Sequence, residues 1–206
     1  KLMRYTAVRG LPVSMITLGT VALGKDYGIS NDAGKPSAGE SEAVLSAAMH
    51  AGINTIDTAN DYGTAEQLIG DFLENHKPQK QVVAVTKFKI SNKNLSNEKL
   101  AREEAYQSVL SSLKLLKLER LPVCLYHKEM NVPVERLMEI LPSIFTSMQN
   151  DGLINTAGVS VYHPDELKIF SKNDIFRAFQ VPMNVFDHRL IHAGVLQNLF
   201  KEEKFS

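Results

Sequence analysis

Short apolar runs alternate along the chain with longer segments whose apolar residues recur at helical spacing. Six such pairs follow one another. The apolar runs are MITLG (15–19), NTIDTA (54–59), QVVAVTKF (81–88), LPVCLYH (121–127), TAGVSVY (156–162) and AFQVPMNVF (178–186). This alternation predicts parallel strands joined by crossover helices, so the predicted fold class is α/β.

Capping residues and helix breakers set the boundaries expected for the helices. Ser41 is expected to cap the N-terminus of the first helix, and Gly52 to follow its C-terminus. The longest helix is predicted from about Glu98 to Leu118. Pro142 is expected to kink or divide the fourth helix, whereas Pro164 is expected near the first turn of the fifth, where no backbone hydrogen bond is lost. The sixth predicted helix is HAGVLQNLFKEE, residues 192–203.

Six successive βα units are compatible with a doubly wound sheet or with a barrel. A Rossmann sheet carries a glycine-rich GxGxxG turn after its first strand, and no such turn follows MITLG. The pattern therefore favours a (β/α)8 TIM barrel with a short N-terminal β-hairpin and six of its eight units present. We expect residues 1–206 to form one domain that is incomplete at its C-terminus. A truncated chain, a homo-oligomer that covers the open barrel edges and a naturally shortened protein all fit this pattern.

Charge and composition exclude several classes of partner. Lysine plus arginine and aspartate plus glutamate number 23 each, so no overall field would attract nucleic acid or an anionic membrane surface. No stretch approaches the roughly 20 apolar residues of a membrane span, and we expect a cytoplasmic protein. The only cysteine, Cys124, lies in an apolar run and is expected to be buried. The histidines lack the spacing of a metal site.

Polar residues stand where three of the predicted strands end. Asp57 ends the second strand, Lys87 the third and His127 the fourth, and Tyr62 follows Asp57 by five residues. Each residue alone has an ordinary structural explanation, such as a loop cap or a solvated strand end. Strand ends share one rim of a parallel barrel, however, and together the four form a mechanism for carbonyl reduction. The ammonium of Lys87 would lower the pKa of Tyr62, Asp57 would neutralise and aim that ammonium, and His127 would orient the carbonyl.

These residues lie in motifs that resemble the aldo-keto reductase family. The resemblance covers nearly the whole chain and rests on INTIDTANDYGTAEQLIG (53–70), VTKF (85–88), LYH (125–127) and GLINTAGVS (152–160). It implies a (β/α)8 barrel that transfers hydride between a nicotinamide cofactor and a small carbonyl or alcohol. It also implies that the catalytic residues are Asp57, Tyr62, Lys87 and His127. The runs GVSVYHPDEL (158–167) and FQVPMNVFDHRL (179–190) resemble a bacterial branch of the family.

The same resemblance implies where the cofactor binds, with NADPH favoured over NADH. Gly19 and Thr20 would line the nicotinamide, and Ser160 and Gln180 would hydrogen-bond its carboxamide. Val161 stands where many members place an asparagine that also holds the carboxamide, so this contact is missing or replaced. Contacts to the cofactor phosphates come mainly from strands seven and eight of the family barrel. The residues implied to contact the cofactor are Gly19, Thr20, Asp57, Ser160 and Gln180.

Two other functions compete with catalysis. Barrels of this family also serve as non-catalytic regulatory or interaction subunits. The intact tetrad of Asp57, Tyr62, Lys87 and His127 argues against that role. A chain without the phosphate-binding strands is also compatible with an inactive fragment that holds nucleotide weakly. Cofactor titration distinguishes these alternatives from an active reductase.

Overall fold

The N-terminal hairpin precedes the main sheet. A computed structural model describes residues 3–8, 10–29, 31–79 and 81–197. The first two strands, β1 (Tyr5–Val8) and β2 (Leu11–Ser14), pair antiparallel, with Tyr5 opposite Ser14 and Val8 opposite Leu11. The predicted hairpin is therefore confirmed.

Six parallel strands form one curled sheet. The strands pair in chain order, each with the next, and the six lie next to one another without an antiparallel member. This order is that of successive βα units in a barrel, so the predicted barrel topology with six units is confirmed. The strands are β3 (Thr17–Gly19), β4 (Thr55–Asp57), β5 (Val83–Phe88), β6 (Leu121–His127), β7 (Ile154–Ser160) and β8 (Phe176–Gln180).

Helices connect these strands. Pro164 is the first residue of its helix, as predicted, but one continuous helix contains Pro142, so the predicted division there is wrong. The sixth predicted helix extends into residues 198–203, which lie outside the described residues. Within the described ranges, no helix is both long enough and apolar enough to cross a membrane. The helices are α1 (Val21–Gly24), α2 (Ala38–His50), α3 (Ala65–His76), α4 (Asn92–Leu95), α5 (Glu98–Leu116), α6 (Val134–Asn150), α7 (Pro164–Phe170) and α8 (Arg189–His192).

The N-terminus of α2 corrects the predicted capping residue. Ser37, not Ser41, is the N-cap: its side chain accepts a hydrogen bond from the backbone N–H of Glu40, and the Glu40 carboxylate accepts from the backbone N–H of Ser37. This reciprocal pair satisfies two N–H groups that a helix start leaves unpaired. Ser41 is instead a fully buried residue of the helix. Gly52, with φ of +88°, follows the helix as predicted.

Alternation along the strands separates two apolar layers. Side chains on the outer face pack against the helices, where Phe88, Phe145 and Phe176 meet edge to face with ring centroids 5.6–5.9 Å apart. On the inner face Val13 of the hairpin joins Val83 in a smaller cluster. Because residues two apart share a face, the polar residues at the strand ends continue the inner face.

Candidate active site

Lys87 and Asp57 form a buried ion pair at the carboxyl end of the sheet. Asp57 ends β4, and Lys87 lies near the end of the neighbouring β5. Nζ of Lys87 lies 2.7 Å from Oδ1 of Asp57 and donates a second hydrogen bond to the carbonyl of Thr58 at 2.8 Å. The Lys87 side chain is 1% exposed. Burial lowers the pKa of Lys87 below its ordinary value, although Asp57 opposes this shift.

The loop after Asp57 places Tyr62 beside this ion pair. The backbone N–H of Thr58 donates to the carbonyl of Val85, and that of Asn60 donates to the carbonyl of Lys87, each at 2.9 Å. These bonds fix the loop against β5. The ring centroid of Tyr62 consequently lies 5.0 Å from Nζ of Lys87.

The electrostatic environment of Tyr62 differs from the expectation. Burial, followed by the carboxylates of Asp57 and Asp61, raises the pKa of Tyr62 to about 12. The predicted lowering by Lys87 is therefore wrong, because Asp57 compensates the ammonium and burial disfavours the phenolate. Within the described chain, the Tyr62 hydroxyl makes no hydrogen bond. It is therefore a protonated donor whose hydrogen bond is free for a ligand.

His127 completes the predicted set of four. Its ring lies 6.4 Å from that of Tyr62 between centroids, at an interplanar angle of 80°. Its buried Nδ1 makes no hydrogen bond to any described residue and lies 3.6 Å from Oδ1 of Asp61. The structure thus brings together all four residues of the predicted tetrad. Their catalytic role remains a prediction.

Asp61 and Lys89 are site residues that the sequence reasoning missed. Oδ2 of Asp61 lies 2.8 Å from Nζ of Lys89. His127 and Lys89 together hold the pKa of Asp61 well below its ordinary range, although partial burial opposes ionisation. Two signals could have identified these residues. Asp61 directly precedes Tyr62 in the DTANDYG motif, and Lys89 lies two residues after Lys87, the spacing at which side chains of extended backbone share a face.

Ser160 and Gln180 form a polar pair beside the tetrad. They are register partners at the ends of β7 and β8, and His127 is the register partner of Ser160 on the other side. Nε2 of Gln180 donates to Oδ1 of Asp57 at 3.1 Å, which links the pair to the tetrad. Among the described residues, neither the Ser160 hydroxyl nor Oε1 of Gln180 has a hydrogen-bond partner. This combination of a hydroxyl and an acceptor oxygen fits a carboxamide group, which offers one acceptor and one donor.

The other predicted cofactor residues lie on the opposite side of Asp57. Gly19 is the register partner of Asp57, and a Cβ atom at this position would meet no atom within 4 Å beyond its chain neighbours. The open face of Gly19 fits a flat ring. Thr20 is fully buried, and its hydroxyl donates to the Asp57 carbonyl at 2.8 Å, so it fixes the rim.

Val161 is buried in the outer apolar layer, and its backbone N–H donates to the Gln180 carbonyl at 2.9 Å.

Comparison with known proteins places this geometry in a family. The model of the aldo/keto reductase family matches residues 15–203. The chain belongs to this family. The aldo-keto reductase YhdN of Bacillus subtilis is 27% identical over 194 residues, which are 91% of this chain and 56% of YhdN. An aldo-keto reductase of Mycobacterium sp. strain KMS is 28% identical over 130 residues, which are 63% of this chain and 44% of the relative. The chain spans about half the length of the curated relatives it matches.

Solved structures of the aldo/keto reductase family share the fold. PA4992 of Pseudomonas aeruginosa, described as an aldo-keto reductase, superposes with a TM-score of 0.76 at 26% identity, covering 96% of this chain and 74% of PA4992. An aldo-keto reductase of Klebsiella pneumoniae in complex with NADPH superposes with a TM-score of 0.69 at 20% identity, covering 100% of this chain and 65% of that one. This second likeness concerns the fold alone.

Proposed function

We propose that this chain carries the catalytic centre of an NAD(P)H-dependent reductase that converts an aldehyde or ketone to an alcohol, or runs the reverse reaction. The observation that supports this most is the ion pair of Lys87 with Asp57, 5.0 Å from the Tyr62 ring centroid. Membership of the aldo/keto reductase family gives the reaction class. NADPH is the preferred cofactor in the proposal, because a relative of the same fold was solved with NADPH.

Ser160 and Gln180 would hold the carboxamide of the nicotinamide, and the open face of Gly19 would accept its ring. A reduced nicotinamide bound there would supply the hydride for the carbonyl carbon. Through the bond from Gln180 to Asp57, the carboxamide position is tied to the ion pair that adjoins Tyr62.

Tyr62 is the proposed general acid. With a pKa of about 12 it keeps its proton at neutral pH and can donate it to the carbonyl oxygen as negative charge develops there. The ammonium of Lys87, 5.0 Å from the Tyr62 ring centroid, would then offset part of the phenolate charge, against the opposing carboxylates of Asp57 and Asp61. His127 binds the same carbonyl oxygen and orients it toward the Tyr62 hydroxyl.

Turnover of NADPH with a panel of small aldehydes and ketones tests the proposal, alongside NADPH binding measured by fluorescence titration. We expect saturable binding and carbonyl-dependent oxidation of NADPH. Binding without turnover of any carbonyl would favour the non-catalytic subunit. Absence of binding by this chain, with binding by a longer version, would identify the 206-residue chain as an inactive fragment.

A further inference from the structure

A second buried ion pair lies next to the tetrad, between Lys128 and Glu166. Lys128 follows His127 directly, and its side chain is 1% exposed. Its Nζ lies 2.9 Å from Oε1 of Glu166, whose side chain is 11% exposed, and it also donates to the carbonyl of Glu129 at 2.9 Å. The pair joins the segment after β6 to helix α7.

The other oxygen of Glu166 holds the loop that follows β7. Oε2 accepts hydrogen bonds from the backbone N–H groups of Tyr162, at 2.7 Å, and His163, at 3.0 Å. Tyr162 lies two residues after Ser160. One carboxylate thus connects Lys128 to the backbone that carries Ser160. Although burial opposes its ionisation, Lys128 and the two N–H groups keep the pKa of Glu166 below its ordinary value.

Stability alone does not account for this pair. Moving two charges out of water is unfavourable, and apolar residues of similar volume often stabilise a protein as well or better. What an ion pair adds is a fixed geometry between the groups that it joins. An exposed pair in the same helix, Lys168 with Asp165, makes contact at the same distance of 2.9 Å but touches neither strand end. That exposed pair offers a matched comparison.

We propose that the Lys128–Glu166 pair is a positioning device that fixes His127 and Ser160 relative to each other, and with them the substrate carbonyl relative to the nicotinamide. The inference rests on the proposed function, since it assigns the pair to the alignment of these two groups. Lys128 and Glu166 touch neither reactant. They act through the ends of β6 and β7, which are register partners at His127 and Ser160.

The test uses the double variant Lys128→Met, Glu166→Gln. It removes both charges, so neither is left buried alone, and it keeps an oxygen that can accept from the two backbone N–H groups. We expect kcat/KM to fall about 100-fold, because misplacement by about 1 Å has an effect of this size. NADPH should bind about tenfold more weakly, and amide hydrogen exchange should accelerate in residues 158–163. The melting temperature should stay within a few degrees of wild type.

Two controls separate positioning from a merely structural role. Lys128→Arg keeps a cation near Glu166, and we expect its kcat/KM to stay within about threefold of wild type. Lys168→Met combined with Asp165→Asn removes the exposed pair and should change neither binding nor turnover. Wild-type values of kcat/KM and NADPH affinity in the Lys128/Glu166 double variant would overturn the inference while leaving the proposed function intact. An inactive wild-type chain would instead overturn the proposed function, and the positioning role with it.

Discussion

Replacement of Gly70 by alanine should destabilise the protein, even though alanine is the better helix former. Gly70 lies in α3 where this helix crosses α5. A Cβ atom at Gly70 would overlap the carbonyl oxygen of Leu115 and lie 3.0 Å from the carbonyl carbons of Leu115 and Leu116. These are backbone atoms of α5, so no side chain can rotate away. One helix must move outward and lose packing along the whole contact.

The expected magnitude follows from two opposing terms. Alanine gains about 1 kcal/mol over glycine inside a helix. Overpacking a well-packed contact costs about 1–3 kcal/mol, and a backbone clash lies at the upper end of this range. The net loss is therefore about 2 kcal/mol. For a chain of this size that loss lowers the melting temperature by roughly 4–8 °C. Urea denaturation should show a lower midpoint with an unchanged m-value.

Gly39→Ala is the matched control. Gly39 lies in the first turn of α2, is exposed, and would place its Cβ more than 4 Å from any neighbour. Only the difference in backbone conformational entropy between glycine and alanine then remains, so we expect the free energy of unfolding to rise by about 0.5 kcal/mol. Equal or greater stability of Gly70→Ala relative to wild type would refute the reasoning, because it would mean that α3 and α5 are not in backbone contact at this point.

Two further substitutions test local features of the structure. Ser37→Ala removes the acceptor that caps α2 and should lower the free energy of unfolding by about 1 kcal/mol, measured by urea denaturation; no change would contradict the assignment of Ser37 as N-cap. Asp61→Asn removes a carboxylate whose pKa is lower in the folded than in the unfolded state. The contribution of this carboxylate to folding stability is therefore fully present above its unfolded pKa, and it is lost as pH falls through the lower folded pKa. The stability difference between wild type and Asp61→Asn should accordingly shrink as pH falls below about 4 in thermal denaturation, and a difference that grows toward acid would contradict the contact with His127 and Lys89.

The positions of the polar residues at the strand ends could be predicted from the sequence, because they depend on the local alternation of apolar and polar residues. Period-two alternation and parallel order together bring Asp57, Lys87 and His127 to one rim, whatever the details of the helices. Tyr62 follows because the loop is too short to carry it elsewhere. The prediction of these positions needed no knowledge of packing.

Other features depend on three-dimensional contacts that the pattern does not encode. The N-cap of α2 is an exception, because Ser37 and Glu40 have the S-x-x-E spacing of a capping box, a sequence signal that the choice of Ser41 overlooked. The direction of the Tyr62 pKa shift depends on burial and on Asp61, which sequence reasoning left out. The partner of Lys128 is 38 positions away in sequence, at Glu166, and only the folded barrel brings the two together.

Tyr62→Phe tests whether Tyr62 is the general acid, and Tyr126→Phe is its matched control. Both substitutions remove one phenolic hydroxyl, but that of Tyr126 is buried in the outer layer and has no partner among the described residues. The measurements are NADPH affinity, by fluorescence titration, and carbonyl reduction, by the rate of NADPH oxidation, in both variants. We expect Tyr62→Phe to bind NADPH nearly as wild type does and to lose carbonyl reduction, whereas Tyr126→Phe should retain both. Carbonyl reduction that persists in Tyr62→Phe would contradict the assignment of Tyr62 as the general acid.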